Sequence, residues 1–267
     1  MGGERGGWRL VHRRGVSVVR NVGFDAIPGL THGFSTRRGE AAEDFDLADG
    51  VDEGRDRLRR LERSLRLPVG SIRLLRQVHG SRIVGARDEA AEVEADGIVI
   101  SRGDRPWRTA AVRTADCVPI LLADAEGTVV AAVHAGWRGS ALSVVRRAVE
   151  ALGERGAPPR GLRAAVGPAV GPCCYEVDDQ VGRAVAATLS DPSRATRDSG
   201  AGKVRVDLKA ANAAQLGEAG LPAGAVAVAP WCTVCSPELF FSHRREGAGA
   251  GRMVSCVGFE EPAAAAP

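Results

Sequence analysis

A thiol and an imidazole stand at the ends of two neighbouring apolar segments. Cys117 opens the run CVPILLA, and His134 ends the run TVVAAVH. The turn-like tetrapeptide Asp124–Gly127 joins the two runs, which predicts a β-hairpin. If the loop consists of Ala125 and Glu126, Cys117 lies directly opposite His134, with Cβ atoms about 5 Å apart. A bulge at Gly127 would shift this register by one residue.

The paired thiol and imidazole allow three interpretations. They can bind a metal together, or His134 can activate Cys117 as a nucleophile. Alternatively, Cys117 is a buried packing residue and His134 merely ends a strand, since free cysteine is among the most buried residue types.

A second histidine favours the metal. In RQVHG, His79 also ends an apolar run just before a small turn residue. Catalytic zinc sites use three protein ligands and keep the fourth position open, whereas structural sites use four. His79, Cys117 and His134 would therefore give a three-ligand metal site of the catalytic type.

The elements that must position these residues read as a mixed α/β chain. One amphipathic helix carries Leu58, Leu61 and Leu65 on one face. A second helix is predicted from an N-cap at Ser140 to about Gly153, and another from about Val206 or Asp207 to Gly220. Between them, a helix is predicted from the apolar stripe Val177, Val181, Val185 and Leu189. The predicted strands are SIRLLRQVH, DGIVIS, CVPILLA, TVVAAVH, RAAVGPAV, AVAVAP and MVSCVGF.

The chain is expected to form a single catalytic domain over residues 1–267, with its core at about residues 15–259. The glycine-rich start and the Ala/Pro-rich C-terminal tail have little to bury, so we expect both to be flexible.

Composition argues against several classes of function. The 267 residues include 36 basic and 33 acidic side chains, for a net charge of +3. This near balance gives no support for binding nucleic acid or a membrane surface. The start MGGERGGWRLVHRRG lacks the apolar core of a signal peptide. We therefore expect a cytoplasmic protein whose 6 cysteines are thiols or metal ligands. The oligomeric state is not indicated.

Several motifs together resemble a known family. The motifs are HGFSTRRG, RQVHG, ADGIVIS, TADCVPILL, AAVHAGWRG, GPAVGPCCYEV and CTVCSPELFFSHRREG. From about Thr31 to Gly258 the chain resembles the bacterial multicopper polyphenol oxidoreductase family, or laccase-domain proteins, which has mammalian relatives. Its members usually carry asparagine where this chain has Gly54, and tyrosine where it has His243.

The resemblance implies a fold and a function. The fold is an αββα layered sandwich, with mixed β-sheets flanked by helices and a metal at His79, Cys117 and His134. The activity is phosphorolysis of adenosine, inosine, guanosine and methylthioadenosine, together with adenosine deamination. The partners are then small molecules, namely purine nucleosides and phosphate.

Each activity requires further side chains. Deamination needs a group that moves a proton, and the usual zinc deaminase signature is absent. Asp116, next to Cys117, is the candidate for this role. Phosphorolysis needs a phosphate site, and Ser35, Thr36 and Arg37 offer hydroxyls and a guanidinium for it. Arg138 is a second candidate, although a surface position at a helix start explains it equally well.

Other functions make distinguishable demands. A multicopper laccase holds a trinuclear cluster and a blue-copper site, and 5 histidines are too few for both. A single copper bound by two histidines and one cysteine remains an alternative, but methionine for a weak axial ligand is scarce. Zinc is therefore favoured over copper. A hydrolase that edits peptidoglycan precursors, either metal-free with Cys117 as nucleophile or metal-dependent, and a metal-stabilised binding protein are the remaining hypotheses.

The other cysteines give weaker signals. Cys232 and Cys235 form one C-x-x-C without a second pair, and Cys173 and Cys174 are adjacent in the chain. Neighbouring cysteines rarely bind one ion, so packing is the predicted role for all four and for Cys256.

Overall fold

The computed structural model describes residues 6–40, 43–48, 51–87 and 93–260. The C-terminal tail beyond residue 260 and the first five residues, both expected to be flexible, lie outside these ranges. Within them the chain forms two six-stranded sheets, one three-stranded sheet and seven α-helices.

The strands are numbered in chain order. They are β1 (Trp8–Arg13), β2 (Val16–Asn21), β3 (Leu30–Ser35), β4 (Ile72–Arg73), β5 (Ile83–Gly85), β6 (Gly97–Ser101), β7 (Thr109–Thr114), β8 (Val118–Asp124), β9 (Val129–Ala135), β10 (Leu162–Val166), β11 (Glu176–Asp178), β12 (Thr196–Gly200), β13 (Lys203–Val206), β14 (Val226–Val228) and β15 (Met253–Phe259).

The helices are numbered in the same way. They are α1 (Val22–Asp25), α2 (Val51–Leu65), α3 (Trp137–Ala141), α4 (Val144–Gly153), α5 (Asp179–Ala186), α6 (Leu208–Glu218) and α7 (His243–Glu246).

The two large sheets pack face to face. The first has the strand order β1-β2-β3-β15-β7-β4, and the second has the order β14-β10-β8-β9-β6-β5. Both faces of strand β8 are buried, each in a different core. Leu121 and Ala123 join the core between the sheets, whereas Ile120 and Leu122 join a second core on the opposite face. This alternation follows from the two-residue period of a strand.

Helices cover the outer face of each large sheet. Leu61 and Leu65 of α2 pack with Val18, Val254 and Cys256 of the first sheet. Buried residues of α4 and α6 pack on the second sheet. The order of layers is therefore helix, sheet, sheet, helix, which confirms the expected αββα sandwich. The small sheet, with the order β11-β13-β12, was not foreseen.

The hairpin that carries Cys117 and His134 has a longer turn than predicted. Val130 pairs with Ala123, and His134 pairs with Pro119 rather than Cys117. The reason is the Asp124 carboxylate, which accepts hydrogen bonds from the N–H groups of Thr128 (2.7 Å) and Val129 (2.9 Å). The predicted pairing of Cys117 with His134 is wrong, because the register differs from it by two residues. Because side chains alternate, this shift leaves both side chains on the same face.

Some predicted elements have different bounds. The proposed strand over residues 71–79 is regular only at β4, and the rest is a loop that ends in the RQVHG motif. The predicted N-cap at Ser140 is wrong, because Ser140 lies inside α3 and accepts a hydrogen bond from Asn212. Ser143, with a φ of 55°, separates α3 from α4. Helices α2 and α6 are as predicted, and Asp207 caps α6.

Candidate metal centre and substrate cavity

The structure brings His79, Cys117 and His134 together at one end of the second sheet. His134 is the penultimate residue of β9, Cys117 immediately precedes β8, and His79 lies in the loop between β4 and β5. One donor atom from each lies within 4.8 Å of the others. The Cys117 sulfur is 3.9 Å from Nε2 of His79, and the two imidazole centroids are 4.8 Å apart. These three residues are called the triad below.

Gly136 provides the space in which the triad converges. A Cβ atom at this position would lie 3.0 Å from Cδ2 of His79 and 3.1 Å from the Cys117 sulfur. Both distances are tighter than ordinary van der Waals contact. The glycine that follows the strand end therefore lets the thiol and the loop histidine approach His134.

Asp96 aligns both histidines from beneath. Its fully buried carboxylate accepts a hydrogen bond from Nδ1 of His134 at 2.8 Å. It also accepts the N–H groups of His79 (2.9 Å) and Gly80 (2.6 Å). A carboxylate on the remote nitrogen of a histidine ligand fixes the tautomer and directs Nε2 toward the metal. The sequence analysis did not select Asp96, although an aspartate directly before the buried run GIVIS was a usable signal.

The backbone is strained at one residue of the triad and at the neighbour of another. His79 has a φ of 59° and Asp116 a φ of 91°, in the left-handed region that non-glycine residues seldom adopt. Each such residue costs on the order of 1–3 kcal/mol and persists only where neighbours hold it. Asp96 holds His79 through its N–H, and several hydrogen bonds hold Asp116.

The electrostatics of the triad favour a charged thiolate. Burial raises the pKa of Cys117, but hydrogen bonds and charge from His134 and His79 outweigh burial and lower it to about 6. Burial lowers the pKa of His134, but Asp96 and Cys117 outweigh it and raise that value to about 9. Burial likewise opposes the ionised form of Asp96, yet the hydrogen bond from His134 leaves its pKa below the ordinary value.

The triad lines a cavity of about 690 Å³. This volume lies within the range of small-molecule sites, roughly 300–1,000 Å³. The cavity is strongly basic, and sequence analysis selected none of the four arginines that line it. They are Arg76, Arg113, Arg244 and Arg252. They come from separate segments without a shared spacing, so only the fold brings them together.

Tyr175 and Arg244 form one wall of this cavity. The guanidinium carbon of Arg244 lies 5.9 Å from the centroid of the Tyr175 ring, and its Nη2 donates to the Glu176 carbonyl at 2.6 Å. Burial and the nearby Cys117 charge raise the pKa of Tyr175 to about 12, so the phenol stays protonated. His243 also lines the cavity.

Asp116 also lines the cavity, but its carboxylate is fully engaged with protein donors. Oδ1 accepts the Thr233 hydroxyl at 2.5 Å. Oδ2 accepts the Ser242 hydroxyl at 3.1 Å and the Arg244 N–H at 2.6 Å. These contacts join the loop before Cys117 to the segment between β14 and α7 and to the start of α7, which is a positioning role.

The expected phosphate segment lies elsewhere. Ser35 and Thr36 are buried and bond to backbone groups of Val254 and Ser17. Arg37 is held by Asp44 and Glu246 and lines a different cavity. These partners satisfy the very groups that were expected to hold phosphate beside the triad.

Arg138 is exposed at the start of α3. Its guanidinium carbon lies 4.4 Å from the centroid of the Trp137 ring. Arg138 is absent from the lining of the triad cavity. Its charge nevertheless acts on Tyr175, which places it near the Tyr175 wall.

The donor set of the triad fits zinc. Two imidazoles and a thiolate-forming cysteine are zinc ligands, and they face a cavity that leaves a further position accessible. The remaining histidines do not join them. His12 contacts Ser17, the buried His32 accepts the Asn21 N–H, and His243 starts α7. All five histidines are described, so the ligands of a multicopper cluster are not assembled in this chain.

The architecture and the site define a class, namely an αββα protein with a His2Cys group at the edge of a basic cavity. The sequence matches the family model of multi-copper polyphenol oxidoreductase laccases over residues 31–260. The chain belongs to this family.

Named relatives cover most of the chain. Purine nucleoside phosphorylase YlmD of Geobacillus stearothermophilus is 36% identical over 259 residues, which cover 90% of this chain and 93% of that protein. Adenosine deaminase RL5 of an unknown prokaryotic organism is 34% identical over 243 residues, with coverage of 84% and 92%.

Solved structures show the same fold. The crystal structure of YlmD from Geobacillus stearothermophilus superposes with a TM-score of 0.83 at 31% identity, covering 94% of this chain and 98% of that one. The Bacillus licheniformis hypothetical protein YfiH gives a TM-score of 0.81 at 29% identity, covering 92% and 97%. In the part of the chain that the structure describes, no helix has the length and apolar character needed to span a membrane.

Proposed function

We propose that this protein is a zinc-dependent purine nucleoside phosphorylase that also deaminates adenosine. Its expected substrates are adenosine, inosine, guanosine and methylthioadenosine. The observation that carries the proposal is the His2Cys triad at the edge of a basic cavity of about 690 Å³. The names of the two relatives, a purine nucleoside phosphorylase and an adenosine deaminase, support the same pair of reactions.

Phosphorolysis requires an anion site within reach of the ribose. Phosphate displaces the purine at C1′, giving the free base and ribose 1-phosphate. We assign phosphate binding to Arg244, because its backbone N–H is fixed on Asp116, the neighbour of Cys117. All four cavity arginines have protein partners: Arg244 donates to the Glu176 carbonyl, Arg76 pairs with Glu94, Arg113 donates to the Leu47 carbonyl, and Arg252 donates to the carbonyls of Ala250 and Gly251. Arg244 differs from the other three in being anchored, through its backbone N–H, to the residue that precedes Cys117. Guanidinium groups suit phosphate because they present two parallel donors.

The purine is assigned to two rings that line the cavity, those of Tyr175 and His243. A flat ring can bind a base by stacking, and the protonated Tyr175 hydroxyl can donate a hydrogen bond to a purine nitrogen. Neither side chain reads one purine specifically, so tolerance of several nucleosides is expected.

His79, Cys117 and His134 would hold the zinc ion. When bound, zinc supplies Lewis acidity to the group it faces. Asp96 keeps His134 in the tautomer that presents Nε2, and it fixes the loop that carries His79. Asp116 holds the Cys117 loop rather than carrying a proton, because protein donors occupy both of its oxygens. In deamination a water oxygen replaces the 6-amino group of adenosine, and ammonia leaves.

One assay tests the proposal. Purified protein of known zinc content is incubated with adenosine, with and without phosphate, and the products are identified. Adenine and ribose 1-phosphate should form only with phosphate, whereas inosine should form in both mixtures. Cys117→Ala should abolish both products. Cys256→Ala, which replaces a buried core cysteine outside the triad, should retain them. Zinc-loaded protein that is inactive on every purine nucleoside would overturn the assignment.

A cysteine hydrolase is the second candidate. The observation that favours it is the chain of contacts from Cys117 through His134 to Asp96, which has the order of a nucleophile, a base and an orienting acid. A hydrolase of peptidoglycan fragments would work without phosphate and after zinc removal. His79 weighs against it, because such a set needs no second imidazole. Full activity of the chelated protein on an amide substrate would favour this candidate.

A further inference from the structure

Four cysteines outside the triad also converge. Cys173, Cys174, Cys232 and Cys235 each place a sulfur within 4.8 Å of the other three. They are called the four-cysteine cluster below. The packing role predicted for these cysteines does not explain their convergence, since Cys173 and Cys235 are exposed and Cys174 and Cys232 are half-buried.

The fold brings the two pairs together through parallel strands. Strands β10 and β14 are parallel neighbours, so the loops that follow them leave the same end of the sheet. The two loops remain paired beyond the strands. Ala169 forms a bridge with Cys232, and the Thr233 N–H donates to the Ala169 carbonyl at 3.1 Å. Cys173 and Cys174 follow in the first loop, and Cys235 follows in the second.

A tight turn allows the adjacent residues Cys173 and Cys174 to direct their sulfurs toward the same point. The N–H groups of Cys174 and Tyr175 both donate to the Gly171 carbonyl at 3.0 Å. This turn directs both neighbouring sulfurs toward Cys235, at 3.6 Å from Cys173 and 3.3 Å from Cys174. Four sulfurs around one zinc, each at about 2.3 Å, are about 3.8 Å apart in a regular tetrahedron. The distances in the cluster therefore suit a shared ion.

Backbone donors favour a negative charge on one of the four sulfurs, that of Cys232. The Gly171 N–H donates to the Cys232 sulfur at 3.2 Å, and the N–H groups of Val234 and Cys235 bond to the same atom. A Cβ atom on Gly171 would lie 3.2 Å from Cβ of Cys232 and 3.3 Å from the Cys173 sulfur, so glycine leaves room for the two loops to approach each other. The buried ammonium of Lys209 donates to the Trp231 carbonyl, one residue before Cys232.

We propose that the four-cysteine cluster is a second zinc site, separate from the triad. Four protein ligands close the coordination sphere, which is typical of structural rather than catalytic zinc. The ion would fasten the 171–175 loop to the 232–235 loop. Thr233 in the second loop donates to Asp116, and Tyr175 follows Cys174 on the cavity wall. The site therefore stabilises the cavity without contacting its substrate.

The first test separates the two zinc sites by removing the triad. His79→Ala/Cys117→Ala protein, produced with zinc in the medium, should retain one zinc per chain, and wild type should hold two. X-ray absorption at the zinc edge of the double variant should show four sulfur neighbours at about 2.3 Å. Cys256→Ala should keep both ions, since Cys256 is fully buried in the core beneath α2 and does not belong to the cluster.

The second test removes the cluster and leaves the triad. Cys232→Ser/Cys235→Ser should hold one zinc, with nitrogen and sulfur neighbours, and should unfold at a lower temperature than wild type. If this variant does not fold, the spectrum and zinc content of the triad variant decide the question.

Two results would overturn the proposal. One is triad-variant protein without zinc whose cluster thiols all react with a thiol reagent. The other is a mass of the metal-free protein that is two or four hydrogens below the mass calculated for free thiols, which would show disulfides in the cluster instead of a metal site. Neither result bears on phosphorolysis, which depends on the triad.

Discussion

Nδ1 of His134 lies 2.8 Å from Oδ1 of Asp96, and the same carboxylate accepts the N–H of His79. One acidic group thus orients two imidazoles that are far apart in the chain. It acts on the ring of one histidine and on the backbone of the other.

We expect Asp96→Asn to weaken zinc binding at the triad by about 10–100-fold, as for other groups that orient a metal ligand. The amide lacks the negative charge and replaces one accepting oxygen by a donor. A zinc competition titration measures the effect. Asp104→Asn is the matched control, because Asp104 is also a buried aspartate that accepts a backbone N–H, from Ser101. Equal zinc affinities of the two variants would show that Asp96 has no role in zinc binding.

The zinc-free protein should expose a reactive thiolate at Cys117. A lowered pKa means that the thiolate fraction grows as pH rises through about 6, so Cys117 is mostly ionised at pH 7. Alkylation by iodoacetamide, followed by peptide mass spectrometry, should therefore give a rate midpoint near pH 6. Burial raises the pKa of Cys256 to about 12, so this thiol serves as the unreactive internal control. A Cys117 midpoint at an ordinary thiol value, about 8.5, would contradict the interpretation.

Gly136→Ala should damage the triad and leave the fold intact. The new methyl group would press on His79 and on the Cys117 sulfur, so zinc affinity should fall by about tenfold, or ~1.4 kcal/mol. Gly217→Ala in α6 is the control, because a Cβ there meets nothing within 4 Å. That variant should gain up to about 1 kcal/mol in unfolding free energy. Unchanged zinc affinity in Gly136→Ala would show that the loops adapt freely.

Arg244→Gln should raise the KM for phosphate by about 10–100-fold, since a hydrogen bond to a charged group contributes about 1.5–3 kcal/mol. The KM for adenosine in deamination should change much less. Arg37→Gln tests the competing segment, and its phosphate KM should match wild type because Arg37 is engaged by Asp44 and Glu246. A raised phosphate KM in Arg37→Gln with an unchanged value in Arg244→Gln would instead support phosphate binding by the Ser35–Arg37 segment.

The mixed α/β character was predictable because hydrophobic periodicity reports burial directly, whereas the αββα layering was implied only by the family resemblance. The runs around Leu121 and Val133 are long enough to indicate strands covered on both faces. The hairpin register was not predictable, because it depends on the Asp124 side chain closing the turn. The break between α3 and α4 at Ser143 likewise depends on a left-handed residue that the helical pattern does not reveal.

The triad was predictable because each of its residues ends or precedes an apolar run, and strand ends gather at a sheet edge. The cavity was not. Arg76, Arg113, Arg244 and Arg252 belong to segments up to 176 residues apart and carry no common motif. The four-cysteine cluster was missed because its two pairs are weak signals separately, and only the parallel pairing of β10 and β14 joins them.

Asp116 connects the loop of the triad cysteine to the loop of the four-cysteine cluster. Its backbone continues into Cys117, and its carboxylate accepts the hydroxyl of Thr233, which follows Cys232. Ordering either loop lowers the entropic cost of ordering the other. If both groups bind zinc, linkage requires that occupancy of one raise the affinity of the other by the same factor in both directions. A single aspartate would then make zinc loading cooperative.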